Sequence, residues 1–314
     1  MKRIYFGCGG WSFFKAAGDP LTNYSKIFDF VEVNSTFYKI PDEKTCRNWK
    51  NKVKNNPDFI FSIKVPKEIT HKNQLMPIDE NFRVFDKVEK ICKILNSNII
   101  VFQTPPELKP NTPTLKKIED FFSIINSENY NIIWETRGIN WTKDYIIDNF
   151  RRLLLKYNIT HCVDYFRSVP IYINSKIAYT RIFGAENGNQ YQFDDYEITK
   201  LNNRFVRMAD QAEKVIVSFH TQRMVHDAAR AQEFNQTGKL ISVSGKIGLE
   251  SFVDAFQEYE KYPITKNELL SYHGWKIYDK KQNKRERMSI ILSQINNKTY
   301  FNKIELLSEL KKYF

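Results

Sequence analysis

Phe28-Asp29-Phe30-Val31-Glu32-Val33-Asn34-Ser35-Thr36-Phe37-Tyr38 decides the fold. Its first half is an apolar run rich in aromatic and β-branched side chains, which reads as a strand. Its second half carries an amide and two hydroxyls beside the Glu32 carboxylate, groups that a buried strand would deliver at its C-terminal end. The same order of events recurs along the chain: short apolar strand, polar tip, helix, next strand. Eight strands are expected, at Ile4–Gly7, Phe30–Asn34, Phe59–Val65, Ile99–Gln103, Ile132–Glu135, His161–Asp164, Ile177–Ile182 and Val215–Phe219. Most are dense apolar runs, as strands covered on both faces require. Helical spacing of apolar residues lies between them, for example from Phe82 to Leu95 and from Tyr145 to Tyr157. Alternating βα units imply a parallel sheet, and eight of them in about 230 residues predict a (β/α)8 TIM-like barrel over residues 1–240. A doubly wound open sheet is the competing fold. It would need a glycine-rich dinucleotide fingerprint, and Gly7-Cys8-Gly9-Gly10-Trp11 lacks that spacing. Those glycines read as a tight turn with close backbone approach, with a phosphate cradle as the alternative.

The 314 residues carry a net charge of +12. That balance favours acidic partners, DNA or RNA foremost, although a lysine-rich composition alone would produce it. Cys8, Cys46, Cys92 and Cys162 are scattered without a CxxC pair, which argues against a zinc ribbon or a disulfide framework and fits a reducing compartment. No apolar run approaches the roughly 20 residues that span a bilayer, and the N-terminus enters a strand directly, so a cytoplasmic chain without membrane contact is expected. Composition changes near residue 240. Ser242 to Gly248 reads as a link, and residues 245–314 as a small, basic, mostly helical module. Within it Thr265 and Glu268 form a helix-start signal, and a last helix runs from about Lys303 to Tyr313. From residue 261 onward there are 12 basic and 5 acidic residues. Lys280, Lys281, Lys284, Arg285 and Arg287 form the densest patch, with Tyr272, Trp275 and Tyr278 nearby. They are the candidate nucleic-acid contacts; a solvated charged loop is the alternative.

In a barrel of this kind the active face is built from the C-terminal strand ends. Reading those ends gives one convergent set. Glu32, Glu135, Asp164 and His220 are the candidate catalytic residues; Asn34, Lys64, His71, Gln103, Arg137, Arg181, Trp11 and Tyr38 are the candidate substrate contacts. So many ionisable groups in one mouth are costly unless they pair or bind something, so internal Glu–Arg pairing stands beside the ligand-site reading. As a site, Arg137, Arg181 and Lys64 would hold an anion, and Glu32 or Glu135 would act as general base.

The same residues carry a resemblance. Gly7-Cys8-Gly9-Gly10-Trp11-Ser12, the Val31 to Tyr38 stretch, Phe61-Ser62-Ile63-Lys64-Val65-Pro66 with Ile69-Thr70-His71, and Val101-Phe102-Gln103-Thr104-Pro105-Pro106 occur in one order. Together they resemble the YecE-like family, domain of unknown function 72, from about residue 4 to 235; the basic tail lies outside it. That resemblance implies a TIM barrel with shape similarity to endonuclease-IV-like and xylose-isomerase-like enzymes. The chain departs from the family pattern where Val217-Ser218-Phe219-His220-Thr221-Gln222 replaces an asparagine-ended strand, and where Phe183 replaces a histidine after Arg181. A trinuclear zinc cluster would lack ligands, because of five histidines only His71 and His220 fall at the mouth. One Mg or Mn ion held by Glu32, Glu135, Asp164 and His220 suits hard-ligand chemistry, with Lys64, Arg137 and Arg181 competing for the carboxylates. The expected function is an enzyme on a phosphorylated or nucleic-acid substrate, with nuclease-like phosphodiester hydrolysis as the test case. A sugar-isomerase-type enzyme and a non-catalytic nucleic-acid-binding protein are the alternatives.

Overall fold

The dense apolar runs become parallel strands. In a computed structural model that describes residues 3–15, 17–125, 129–185, 189–256 and 261–314, they are β1 (Arg3–Cys8), β2 (Phe30–Val33), β3 (Ile60–Lys64), β4 (Ile99–Thr104), β5 (Asn131–Thr136), β6 (Thr160–Cys162), β7 (Ile177–Ile182) and β8 (Lys214–Phe219). Hydrogen bonding orders them β6-β5-β4-β3-β2-β1-β8-β7. The outermost two also meet. A parallel bridge joins Val163, just past β6, to Thr180 of β7, and Thr160 Oγ1 donates to the Ile177 carbonyl at 2.8 Å. The sheet therefore closes on itself as a (β/α)8 barrel, the expected fold class.

Helices α1 (Pro20–Tyr24), α2 (Glu43–Lys52), α3 (Asp79–Leu95), α4 (Thr112–Ile124), α5 (Asp144–Lys156), α6 (Asp195–Gln211) and α7 (Met224–Thr237) follow the strands in turn, except between β6 and β7. Helix α3 shows why they form. It buries Val84, Phe85, Val88, Ile91, Cys92 and Leu95, a stripe at helical spacing. It stops at Asn96, whose φ of 53° closes the last turn in the left-handed region that asparagine tolerates.

The barrel interior is filled by Phe30, Ile99, Val101, Ile133, Cys162, Ile177, Tyr179 and Ile216. A strand repeats its facing every second residue. The next inward positions toward the C-terminal ends are therefore Glu32 after Phe30, Gln103 after Val101, Glu135 after Ile133, Arg181 after Tyr179, and Ser218 then His220 after Ile216. Apolar filling below and polar groups above is the layering that places a site at the mouth.

The chain divides into two compact units. All eight strands lie in the first, residues 1–182 and 204–220; residues 183–203 and 221–314 form the second. Residues 183–203 and 221–240, which the sequence reading placed with the barrel, thus group with the C-terminal residues. The second unit has its own core around Phe252, Leu269, Tyr278, Met288, Leu292, Tyr300 and Leu310. It carries helices α8 (Gly248–Asp254), α9 (Lys266–His273), α10 (Ser289–Leu292) and α11 (Lys303–Leu310). Thr265 and Glu268 form a reciprocal capping box on α9. Strands unforeseen in the sequence are also present: β9 (Ile264–Thr265) pairs with β12 (Thr299–Tyr300), and β10 (Ile277–Lys281) with β11 (Lys284–Arg287). The densest basic run is thus a hairpin, turned at Asn283 with φ 60°. No helix among the described residues is long and apolar enough to cross a membrane.

Candidate active site

One guanidinium organises the mouth. Arg181 of β7 is almost fully buried. It reaches Glu32 of β2 through two parallel bonds, Nε to Oε2 and Nη2 to Oε1, each 3.0 Å. Its Nη1 donates to Gln103 Oε1 of β4 at 3.0 Å and to Glu135 of β5. Its Nε also lies 3.2 Å from His220 Nε2, just past β8. Tyr179 donates to Glu32 Oε2 at 2.9 Å and is itself 2.9 Å from Ser62 Oγ. Arg137 Nε donates to Glu135 Oε1 at 3.0 Å. Bidentate pairing of this kind is the strong form of the arginine–carboxylate contact.

The charges follow from these contacts. Burial alone would raise the Glu32 and Glu135 carboxyls, but Arg181 overrides it and holds Glu32 well below the carboxylate range and Glu135 at about 2. Burial opposes the charge on Arg181 as well, and the two carboxylates more than restore it. Burial, then Arg181, lowers His220 to about 4, so its ring is neutral near pH 7. A neutral ring facing an arginine N–H accepts at Nε2. The ring rests over Gly9, where a Cβ would lie 2.2 Å from it. Gly7 is equally constrained, since a Cβ there would meet the Phe30 carbonyl at 2.1 Å. Gly7 and Gly9 therefore serve close approach, while Gly10, with φ 134° and open space around it, serves the turn.

A second group stands apart from this saturated cluster. Lys64 ends β3, is 5% exposed, and holds its Nζ 3.9 Å from the centre of the Phe37 ring. Among the described residues that Nζ makes no hydrogen bond or ion pair, while the Lys64 carbonyl accepts from Thr36 Oγ1 at 2.6 Å. Burial, then the nearby Arg181, lowers its amine to about 7. His71 packs edge-on against the same ring at 4.9 Å, with Nδ1 2.9 Å from Thr70 Oγ1. Burial, then Lys64, lowers this imidazole too. Just past the end of β2, Asn34 Oδ1 is buried without a hydrogen-bond partner among the described residues. The mouth thus contains an unmatched donor and an unmatched acceptor on adjacent strands, which a fully structural cluster would not leave.

A family profile described as "Protein of unknown function DUF72" matches residues 5–242. The chain belongs to this family. A curated relative, UPF0759 protein YunF of Bacillus subtilis, is 30% identical over 116 residues, which cover 33% of this chain and 40% of that protein. The chain therefore spans about two-fifths of the length of that relative. Crystal structures of DUF72 family proteins from Enterococcus faecalis and Thermotoga maritima share the fold with TM-scores of 0.61 and 0.58. They are 18% and 20% identical, and the alignments cover 75% and 74% of this chain and 98% and 99% of theirs.

In this DUF72 barrel the expected set converges in part. Glu32, Gln103, Glu135, Arg137, Arg181 and His220 come together. Several roles change. Arg181 cannot hold an anion as expected, because its N–H groups are occupied by Glu32, Glu135, Gln103 and His220. Glu32 has no exposed surface and His220 is 7% exposed with Nε2 facing Arg181, so both position the arginine rather than meet a substrate. Asp164 lies past the end of β6 and serves its own loop, accepting from Phe166 N at 2.8 Å and pairing with Arg167. Trp11 packs on Trp49 at 5.1 Å, while Tyr38 is 72% exposed. The proposed metal does not fit: Arg181 occupies the space between the carboxylates, and among the described residues no three His, Cys, Asp or Glu side chains gather to hold an ion.

The basic hairpin is also different from expectation. Arg285 is bound through Nε to both Asp195 oxygens, at 2.7 and 2.8 Å, and its side chain is 4% exposed. Arg287 pairs with Glu197 at 2.9 Å. Lys280 and Lys284 share Glu286, at 3.0 and 3.5 Å. Of the five candidate nucleic-acid contacts, four are matched by carboxylates. Sequence reading missed Tyr179 and Ser62 as site builders. Both were recoverable, because each is one inward step below a polar tip.

Proposed function

We propose that the barrel mouth is the active site of an enzyme on a small phosphorylated substrate, with Lys64 as the proton-transferring amine. The single observation carrying this is the unpartnered, buried Lys64 amine, poised near neutrality at the C-terminal end of a barrel strand. A lysine in that state can take a proton at pH 7, which an ordinary lysine cannot. The part-exposed Arg137 supplies the positive field for an anionic group. The carboxylates are held by arginines, which leaves Lys64 as the mouth's candidate base in place of Glu32 or Glu135. The internal pairing of the hairpin favours a small substrate over a polymer, and isomerisation of a phosphorylated sugar ranks above phosphodiester hydrolysis.

The test is a screen of phosphorylated sugars and phosphodiesters with the full chain and with Lys64→Met. Removing the amine should lower kcat/KM on the responsive substrate by roughly 10²–10⁴-fold. The wild-type rate should rise with pH through about 7, because the neutral amine is the active form. Equal rates for wild type and Lys64→Met on every turned-over substrate would sink this reading. Binding to short DNA and RNA at several salt concentrations, with and without residues 245–314, decides the polymer reading. Steeply salt-dependent binding that disappears with the tail would restore it.

A further inference from the structure

We infer that Lys64 forms an imine with an aldehyde or ketone carbonyl of a small phosphorylated molecule. This rests on the preceding reading that such a molecule enters the barrel mouth. The geometry carries it. A protonated amine has three N–H donors, and burying it without acceptors is expensive. The acceptors that would normally hold it charged are occupied elsewhere. Glu32 Oε1 and Oε2 receive Arg181 and Tyr179, and Glu135 Oε1 and Oε2 receive Arg137 and Arg181. The arginines therefore leave Lys64 as a neutral nucleophile. Phe37 gives it a dry wall at 3.9 Å, and the lowered proton affinity agrees with that state.

The neighbours match the steps of imine formation. The Lys64 Nζ lone pair attacks the carbonyl carbon, and the C=O π electrons move to oxygen. One proton passes from nitrogen to that oxygen, giving a carbinolamine. The nitrogen lone pair then forms C=N as the C–O bond breaks, and the oxygen leaves as water after taking a second proton. No oxidant or reductant is required. His71, against the same ring as Lys64, is the imidazole placed to move these protons. Asn34 Oδ1, the buried acceptor without a partner, is placed to receive the carbinolamine hydroxyl or a substrate hydroxyl. Arg137, part-exposed beside Glu135, would take the phosphate.

The experiment is reductive trapping. The full chain is incubated at pH 7 with glyceraldehyde 3-phosphate and cyanoborohydride, and the adducts are located by peptide mass spectrometry. An amine half-neutral at pH 7 has about a thousand times the free-base fraction of an ordinary lysine, so Lys64 should label at least ~10-fold faster than any other lysine. Unphosphorylated glyceraldehyde should label it more slowly, and Lys64→Met, which keeps an unbranched side chain of similar length without the amine, should lose the adduct. Labelling scattered over surface lysines, with Lys64 not preferred, would overturn the imine. Calorimetric titration with 2-phosphoglycolate, which has no carbonyl able to form an imine, separates the two readings. Binding that Arg137→Ala abolishes, without trapping at Lys64, leaves the anion site standing and removes the imine. Absence of both removes the two together.

Discussion

Arg181 is the residue on which the mouth depends. A buried ion pair contributes little net stability when intact, because desolvation of the charges offsets their attraction. Breaking one side is a different matter, since it leaves charge buried without compensation. Arg181→Met would strand two carboxylates, Glu32 and Glu135, in a site where both are nearly or wholly buried. Urea unfolding monitored by circular dichroism should show a loss of about 3–5 kcal/mol. The double variant Arg181→Met with Glu32→Gln should recover part of that loss, because one stranded charge is gone. A loss under 1 kcal/mol, or no recovery, would mean that the cluster is wetter and looser than its hydrogen bonds imply. The residue scale also shows where reading from sequence stops. The inward positions of Glu32, Gln103, Glu135 and Arg181 follow from period-two alternation. Their partners do not, because Arg181 and Glu32 lie 149 residues apart and meet only through barrel closure. Asp164 illustrates the same limit: it sits just past Cys162 of β6, and its carboxylate accepts from the Phe166 N–H and pairs with Arg167, local contacts that strand alternation does not foretell.

At the scale of elements, strands were legible because those covered on both faces must be apolar throughout, and such runs stand out in a polar sequence. The hairpin β10–β11 was not. Lys284-Arg285-Glu286-Arg287 has no apolar alternation, and its buried side is an arginine matched to Asp195, 90 residues upstream. Charge satisfied at long range looks in sequence like charge exposed to solvent. The link Ser242 to Gly248 is similar: Ser242, Val243 and Ser244 all donate to Asp279 Oδ2, which orders a stretch that composition alone makes a spacer. The loop after β1 offers a direct test. Gly9 lies where the His220 ring passes, and a methyl there would sit about 2 Å from it. Gly9→Ala should therefore displace His220 and lower stability by roughly 1–3 kcal/mol. Gly10→Ala meets no atom within 4 Å, and should be destabilising only through its φ of 134°. The histidine Hδ2/Hε1 NMR signals of His220 should shift in Gly9→Ala and stay put in Gly10→Ala. The reverse pattern would mean that the glycines serve the turn and not the histidine.

At the scale of the barrel unit, the buried histidines, the Glu32 and Glu135 carboxylates and Lys64 share one sign of pH dependence. His161 and His220 are both held neutral, lowered to about 4, chiefly by burial. The contacts of His161 agree with a neutral ring: the Ile171 N–H donates to its Nδ1 at 3.1 Å, and Thr136 Oγ1 lies 3.1 Å from Nε2. An unfolded histidine titrates near 6.5, so between about pH 6.5 and 4 the unfolded chain binds more protons than the folded one, and stability falls as pH falls. Each histidine should remove roughly 2 kcal/mol by pH 5. Glu32 and Glu135 add a second loss at lower pH. Their stability is present above the unfolded value near 4.3 and disappears as pH drops through the lower folded values. Lys64 continues the trend upward, because an amine lowered to about 7 from an ordinary value near 10.4 stabilises the fold progressively as pH rises between the two. The barrel should therefore be most stable on the alkaline side of neutrality and unfold in acid well before its carboxylates titrate. Denaturant midpoints followed through the barrel tryptophan Trp134, from pH 4 to 9.5, measure this directly. His161→Gln should flatten the descent between pH 6.5 and 4, and Lys64→Met should flatten the rise between 7 and 10. A curve with its maximum at pH 5 would contradict neutral burial of these groups.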